Sequence, residues 1–190
     1  MDRKYEEDRS GIESNTVGVY RTAATVKGGR RFSFSAMVVC GDRQGKVGLG
    51  YGKANQVPNA IEKAQKKAKR AMQPFPLTGT TIPHEVTGRF GACSVRLVPA
   101  SPGTGVIAGA AVRSVLDLVG VQDCLSKAYG STNNKNLSKA VLDGLSQLRS
   151  RDKIQTLRKV EIDKTHAEEA HQGAQSEAIL TAASAEDATE

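Results

Sequence analysis

Apolar and polar positions change rhythm along this chain, and the changes mark out its elements. Val17, Val19 and Arg21 alternate with Tyr20 and Thr22. Phe32, Phe34, Ala36 and Val38 alternate with Ser33, Ser35 and Met37. A period of two predicts strands. Gly41-Asp42-Arg43-Gln44-Gly45 reads as a tight connection to a third strand, where Val47, Leu49 and Tyr51 alternate with Gly48, Gly50 and Gly52. That strand has one face without side chains, which implies that something approaches its backbone closely. The rhythm then lengthens. Pro58 suits a first helical turn, and Val57, Ile61, Ala64, Ala68 and Met72 form a stripe at helical spacing.

Gln73-Pro74-Phe75-Pro76-Leu77-Thr78-Gly79-Thr80 is rich in breakers and reads as a hinge. Beyond it Ile82–Gly88 and Cys93–Val98 are expected as strands, broken at Gly88-Arg89-Phe90-Gly91. The Gly/Pro loop Pro99–Gly105 should open a helix over Val106–Val119, stopped at Gly120. A short strand near Asp123–Lys127 and a helix of about Leu137–Leu148 complete the pattern. The fold class expected is α+β in two small domains, β-β-β-α over residues 17–73 and β-β-α-β-α over 81–159, with a hinge at 74–80. Residues 1–16 are polar and expected to be flexible. The Ala/Glu/Ser/Thr/Gln-rich residues 160–190 are expected to have no fixed fold.

Charge adds a direction to this picture. The formal net charge is +7, but it is unevenly spread. Between Val17 and Val160 stand 23 Lys and Arg against 7 Asp and Glu, whereas the last 30 residues carry one base and eight acids. A basic body with an acidic tail points to nucleic acid. A membrane surface is the competing partner, but no basic helix here carries the Trp/Phe-rich face of an interfacial helix. Two clusters stand out. Lys27, Arg30 and Arg31 flank Gly28 and Gly29 at the tip of the first hairpin. There glycine permits close backbone approach and guanidinium forks match phosphate oxygens. Lys63, Lys66, Lys67 and Arg70 line the polar face of the helix, with Lys69 at its flank and only Glu62 as an acid. A face built for solubility would mix both signs.

Other chemistries find little support. Cys40, Cys93 and Cys124 are far apart, odd in number and set in apolar surroundings, so buried reduced thiols are expected and no metal site. No apolar signal region or run of membrane-spanning length occurs, so a soluble intracellular chain is expected, in the cytoplasm or an organelle. Gly41–Val47 is one residue short of a phosphate-binding Walker loop and has Val where the Ser/Thr belongs. Pro99–Ala111 is a better candidate, since a Gly-rich loop at a helix start can hold phosphate. Galactokinase-type small-molecule kinases use a similar loop, but no carboxylate lies in this one to hold Mg²⁺. His84 follows Pro83 in a strand with no Ser or Cys nucleophile placed by a motif. It suits a polar contact better than catalysis. No catalytic residue and no cofactor are expected.

Four phrases in order, Val26–Ala36 (VKGGRRFSFSA), Val47–Ala54 (VGLGYGKA), Thr80–Gly91 (TTIPHEVTGRFG) and Pro99–Ala111 (PASPGTGVIAGAA), carry a resemblance. The chain resembles the bacterial-type ribosomal S-five family, the fifth protein of the small ribosomal subunit, over about Val17 to Leu148. The resemblance implies a double-stranded-RNA-binding-like first domain. The second would have the fold named after this family, which those kinases share, so the loop resembles theirs without implying an enzyme. It further implies binding to small-subunit ribosomal RNA, with the fourth and eighth small-subunit proteins as neighbours. With the third and fourth it would line the channel through which mRNA enters, and it would influence decoding accuracy. The hairpin tip would reach towards the spectinomycin region near the neck of the subunit.

The residues expected to bind RNA are Lys27, Gly28, Gly29, Arg30 and Arg31 at the hairpin, then Lys53, Lys63, Lys66, Lys67 and Arg70, with Arg89 at the later strand break. The loop near Gly103–Gly105 and the exposed edges of the second domain suit protein neighbours. Ala24 stands where many members carry Lys, Ala110 replaces a usual Gly, and Ser131–Asn136 departs from the usual turn. Two alternatives come from other classes: a free-standing regulator that binds double-stranded RNA, and, behind it, a small-molecule kinase.

Overall fold

The computed structural model describes residues 6–7 and 11–159. The polar start over 1–5 and 8–10 and the acidic tail over 160–190 lie outside the described residues. Residues up to Leu148 form one compact unit, and Arg149 opens a second.

The first sheet is antiparallel throughout. Its strands are β1 (Glu6–Glu7), β2 (Glu13–Val26), β3 (Gly29–Gly41), β4 (Lys46–Ala54) and β5 (Gln73–Pro74), in spatial order β1-β2-β3-β4-β5. Helix α1 (Val57–Arg70) runs between β4 and β5. β2 begins at Glu13, four residues earlier than the hydrophobic alternation suggested. Ser14 and Asn15 are buried and pair with Cys40 and Val39, so residues 13–16 belong to the ladder and not to a flexible start. Polar side chains hid this from a reading based on apolar periodicity.

α1 lies against the bare face of β4. A Cβ at Gly48, Gly50 or Gly52 would overlap the carbonyl oxygen of Ala68, Ala64 or Ala60 respectively. The object that approaches the glycine face is therefore the backbone of the chain's own helix. The buried stripe of α1 is Ala60, Ala64 and Ala68. The expected stripe of Val57, Ile61, Ala64, Ala68 and Met72 is corrected in its centre: Val57, Ile61 and Met72 are only half-buried at the flanks. Close packing selects the smallest residues, which carry the weakest hydrophobic signal.

The second sheet has the order β6-β7-β9-β8. β6 (Val86–Phe90), β7 (Cys93–Pro99) and β9 (Cys124–Gly130) are antiparallel neighbours, and β8 (Val106–Ile107) pairs with β9 in parallel. α2 (Ala110–Val119) precedes β9, and α3 (Asn134–Gln147) follows it. The α+β class holds, with β8 added to the expected order. Val106 and Ile107 were expected to open the helix. Instead Val106 pairs with Cys124, and the helix starts after Gly109. A two-residue strand is too short to show a period. The break expected at Gly88 is also corrected, because β6 runs through Gly88 to Phe90 and turns at Gly91, where φ is +58°. At Gly88 a Cβ would overlap the Ala140 carbonyl and crowd Gly144 of α3.

The two sheets share one core, in which Val39 and Val47 join Ile82, Val95, Leu97, Val115, Leu116, Leu118, Val141 and Leu145. The β3–β4 turn docks on the end of α2: the Arg43 N–H donates to the Leu118 carbonyl (3.1 Å) and the Gly45 N–H to that of Val119 (2.8 Å). The Walker-like stretch Gly41–Val47 is thus a strand connection, with Asp42 Oδ1 accepting the Gln44 and Lys46 N–H groups at 2.8 and 2.9 Å. The hinge segment is tied at several points. Gln73 pairs with Val47, Phe75 is buried, and its N–H donates to the Gly45 carbonyl (2.7 Å).

One buried acid organises the second sheet's loops. Asp123 Oδ2 accepts from the Thr80 hydroxyl (2.8 Å) and Oδ1 from the Gly105 N–H (2.9 Å). The backbone N–H groups of Gln122 and Asp123 return to the Thr80 carbonyl. Hydrogen-bonding of this kind is what makes a buried carboxylate tolerable. In the second unit, α4 (Arg151–Arg158) is a short helix with no buried residue.

Candidate nucleic-acid interface

The sequence places no acid between Ser14 and Gly41, and this stretch folds as one long hairpin. β3 pairs with β4 only as far as Phe34, opposite Ala54. Beyond that point the hairpin is a two-stranded arm, held by pairs running from Arg21 with Phe34 to Val26 with Gly29. Lys27 and Gly28 form the tip. All residues from Ala23 to Phe32 are exposed. An isolated two-stranded ribbon is marginal in water, so this arm depends on the sheet at its base.

The register sorts the cations by face. Ala36, Phe34, Phe32 and Arg30 share the face that α1 covers lower down, and Arg31, Ser33, Ser35 and Met37 share the other. Arg30 and Arg31 therefore project to opposite sides, with Lys27 at the end. Among the described residues none of the three makes an ion pair. Gly29 has φ +139°, a conformation reserved in practice for glycine. Gly28 has no such φ, and a Cβ on either would meet open space. Gly29 is required by the backbone, while Gly28 leaves room for a partner.

Arg21 belongs to the same arm and was missed by the sequence reading. Its guanidinium lies 4.8 Å from the centroid of the Phe32 ring. The two are diagonal neighbours on the Arg30 face, where long and aromatic side chains meet. The signal is an Arg diagonal to a Phe on the neighbouring strand, visible only once the register is known.

On α1, Lys63, Lys66, Lys67 and Arg70 are all exposed on the side away from β4, and Lys69 is half-buried. Lys67, Lys69 and Arg70 fall in the last turn, where cations complement the helix dipole. Lys53 is exposed opposite Ser35, on the Arg31 face and not the α1 face. Arg89 stands apart in the second sheet, where its N–H donates to Asp143 Oδ2 (2.9 Å). The expected residues thus form a tip with two sides and a helix face on one of them, with Arg89 separate.

The Pro99–Ala111 loop does not have the geometry of a phosphate loop. β8 stands between Gly103 and Gly105 and the start of α2, and the Gly105 N–H is already given to the Asp123 carboxylate. A negative charge there opposes a phosphate. A cleft of about 640 Å³ is lined by Arg43, Arg113, Asp117 and Gln122 near α2, away from the hairpin tip. His84 Nδ1 lies 2.9 Å from the Glu85 carbonyl. The three thiols are free and buried. Burial pushes Cys40 up to about 11. It pushes Cys124 to about 11 as well, against a small opposing pull from the Val98 backbone. Thiols held neutral in this way are inert. Glu85 is held below its usual range by its hydrogen bond to Arg96 (2.6 Å). No group of His, Cys, Asp and Glu among the described residues could hold a metal ion, and no helix among them is long and apolar enough to cross a membrane.

Comparison with known proteins agrees with this architecture. Residues 12–76 match the family described as Ribosomal protein S5, N-terminal domain, and residues 88–158 match Ribosomal protein S5, C-terminal domain. The protein named Small ribosomal subunit protein uS5 of Rhodopirellula baltica is 54% identical over 149 residues, covering 78% of this chain and 84% of its own. That of Syntrophobacter fumaroxidans is 52% identical over 157 residues, covering 83% and 95%. That of Psychromonas ingrahamii is 47% identical over 163 residues, covering 86% and 98%. With both domains matched in order and half of the aligned residues identical, the chain belongs to the ribosomal protein S5 family.

Proposed function

We propose that this protein is a structural constituent of the small ribosomal subunit and grips ribosomal RNA with the β2–β3 arm. The observation that carries the reading is the arm itself: a two-stranded projection without acids, with unpaired Lys27, Arg30 and Arg31 at its end. Such an arm gains little from its own contacts, so its ordered use requires a polyanion to lie against it. Binding would rest on phosphate neutralisation, with log K falling by about 0.7–0.9 per log unit of salt for each phosphate contacted. Contacts to phosphate and 2′-OH would dominate over base readout in A-form RNA. Family membership supports the finer parts of the proposal: neighbours in the fourth and eighth small-subunit proteins, a position on the channel through which mRNA enters, an influence on accuracy, and a ribosome-bound place in the cytoplasm.

Sucrose-gradient sedimentation tests the reading. The chain should travel with small subunits and be stripped off as salt rises. Sedimentation with free protein alone would refute it. The row Lys63, Lys66, Lys67 and Arg70 favours a second reading, a free-standing protein that binds duplex RNA, because its i, i+3, i+4, i+7 spacing makes one continuous basic face. That reading requires tight binding to RNA duplexes without ribosome association.

A further inference from the structure

We infer that a cleft on the Arg31 face of the first sheet receives one unpaired nucleobase, at the end of a path that the hairpin cations set for an RNA strand. The inference rests on the RNA-binding reading above and adds a site to it. The cleft has about 220 Å³ of free volume and is lined by Tyr20, Ser35, Met37, Tyr51, Asn133 and Lys135. Three strands and the start of α3 build it. Tyr20 on β2 is opposite Ser35 on β3, and Tyr51 on β4 is opposite Met37 on β3. The floor is apolar and fixed, since Met37 is 1% exposed. The two walls are aromatic and open to solvent, with Tyr20 43% and Tyr51 37% exposed.

The walls are also positioned. Asn134 Nδ2 donates to the Tyr20 hydroxyl (3.2 Å), and the Ser35 hydroxyl donates to the Tyr20 carbonyl (3.3 Å). Lys135 Nζ stands 4.3 Å from the centroid of the Tyr51 ring. Asn133 Oδ1 accepts the Lys135 N–H (3.1 Å), which leaves the Asn133 amide NH₂ to read a base edge. Aromatic faces, a polar reader and a cation at the rim make a base-stacking platform. Among the described residues no acid lines the cleft. Along β3 and β4 the same face continues through Lys53 and Ser33 to Arg31. Phosphates on that line would deliver a base into the cleft without crossing the arm. A duplex cannot enter a space this small, so the occupant is a bulged or single-stranded nucleotide.

The test compares three probes on the full chain by fluorescence. The first is a 20-base-pair RNA duplex carrying one bulged 2-aminopurine, the second the same duplex without the bulge, and the third free adenosine monophosphate. The bulged duplex should bind roughly 10-fold tighter than the plain one, as stacking of one base allows, with 2-aminopurine quenched on binding. Tyr51→Leu and Tyr20→Leu should each remove most of that difference and leave affinity for the plain duplex unchanged. Equal affinity for the two duplexes, or a difference that survives both substitutions, overturns the cleft while the RNA-binding reading stands. Binding to neither duplex overturns both. Free adenosine monophosphate binding as tightly as the bulged duplex overturns the strand path and makes the cleft a small-molecule site.

Discussion

From Gly29 to Phe34 the residues of β3 are exposed or half-buried, and from Ser35 to Gly41 every one is buried. The inner half lies between α1 on one face and the core shared with the second sheet on the other. Beyond Phe34, which still pairs with Ala54 of β4, the outer half pairs only with β2. One strand therefore serves two ends, and its ladder with β2 runs through both with one register shift, between Thr16 and Gly18. Burial sets the inner residues by size, and accessibility sets the outer ones by charge. A change in the inner half should read out as stability, and one in the outer half as affinity.

The largest departure from wild type is expected at the base of this arrangement. Gly50→Val places a branched side chain where the Ala64 carbonyl already lies, and α1 must move. Overpacking of that order costs about 3 kcal/mol, read as a drop in urea midpoint, with RNA binding lost only as the protein unfolds. The counterpart is Lys27→Ala/Arg30→Ala/Arg31→Ala. Its melting temperature should stay within 1–2 °C or so of wild type, while RNA affinity falls roughly 100-fold and the salt slope becomes shallower by about 2. A large loss of stability with unchanged RNA binding would erase the distinction between the halves.

Alkali should probe two buried thiols, Cys40 in the inner half and Cys124 in β9. Cys40 titrates near 11 in the fold, against an ordinary value of 9.0 when unfolded, and so does Cys124. The unfolded chain loses these protons first, so their stabilisation is complete below pH 9 and declines as pH rises towards 11. About 1 kcal/mol per thiol is lost at pH 10. Melting curves between pH 8 and 11 should show the decline, and Cys40→Ala should shallow it. The smallest contrast lies within the tip. Gly29→Ala must adopt φ near +139° and should cost about 1 kcal/mol. Gly28→Ala should leave stability within about 0.5 kcal/mol of wild type and weaken only RNA binding.

The arm was legible from the sequence because alternation, two glycines and unopposed cations all point to one local structure. The glycine face of β4 was legible as a demand for close approach, though not as α1. Alanine carries too weak a signal to reveal that the helix turns Ala60 inwards and Val57 aside. Two features were beyond reach for a different reason. Asp123 looks like any loop acid until Thr80 and Gly105 are brought to it across 43 and 18 residues of chain. The Tyr20–Tyr51 cleft exists only through the pairing of three strands and the arrival of α3 from 114 residues away. Local pattern reports what neighbours in sequence do, and these sites are made by neighbours in space.

The seam of Gly48, Gly50 and Gly52 against Ala60, Ala64 and Ala68 has a mechanical consequence. Glycine and alanine have no rotamers, so this contact forms without loss of side-chain entropy and has no internal freedom left to absorb a load. Force applied at the tip of the arm meets no yielding side chains in that seam, and the ribbon behaves as a lever set in a stiff mount.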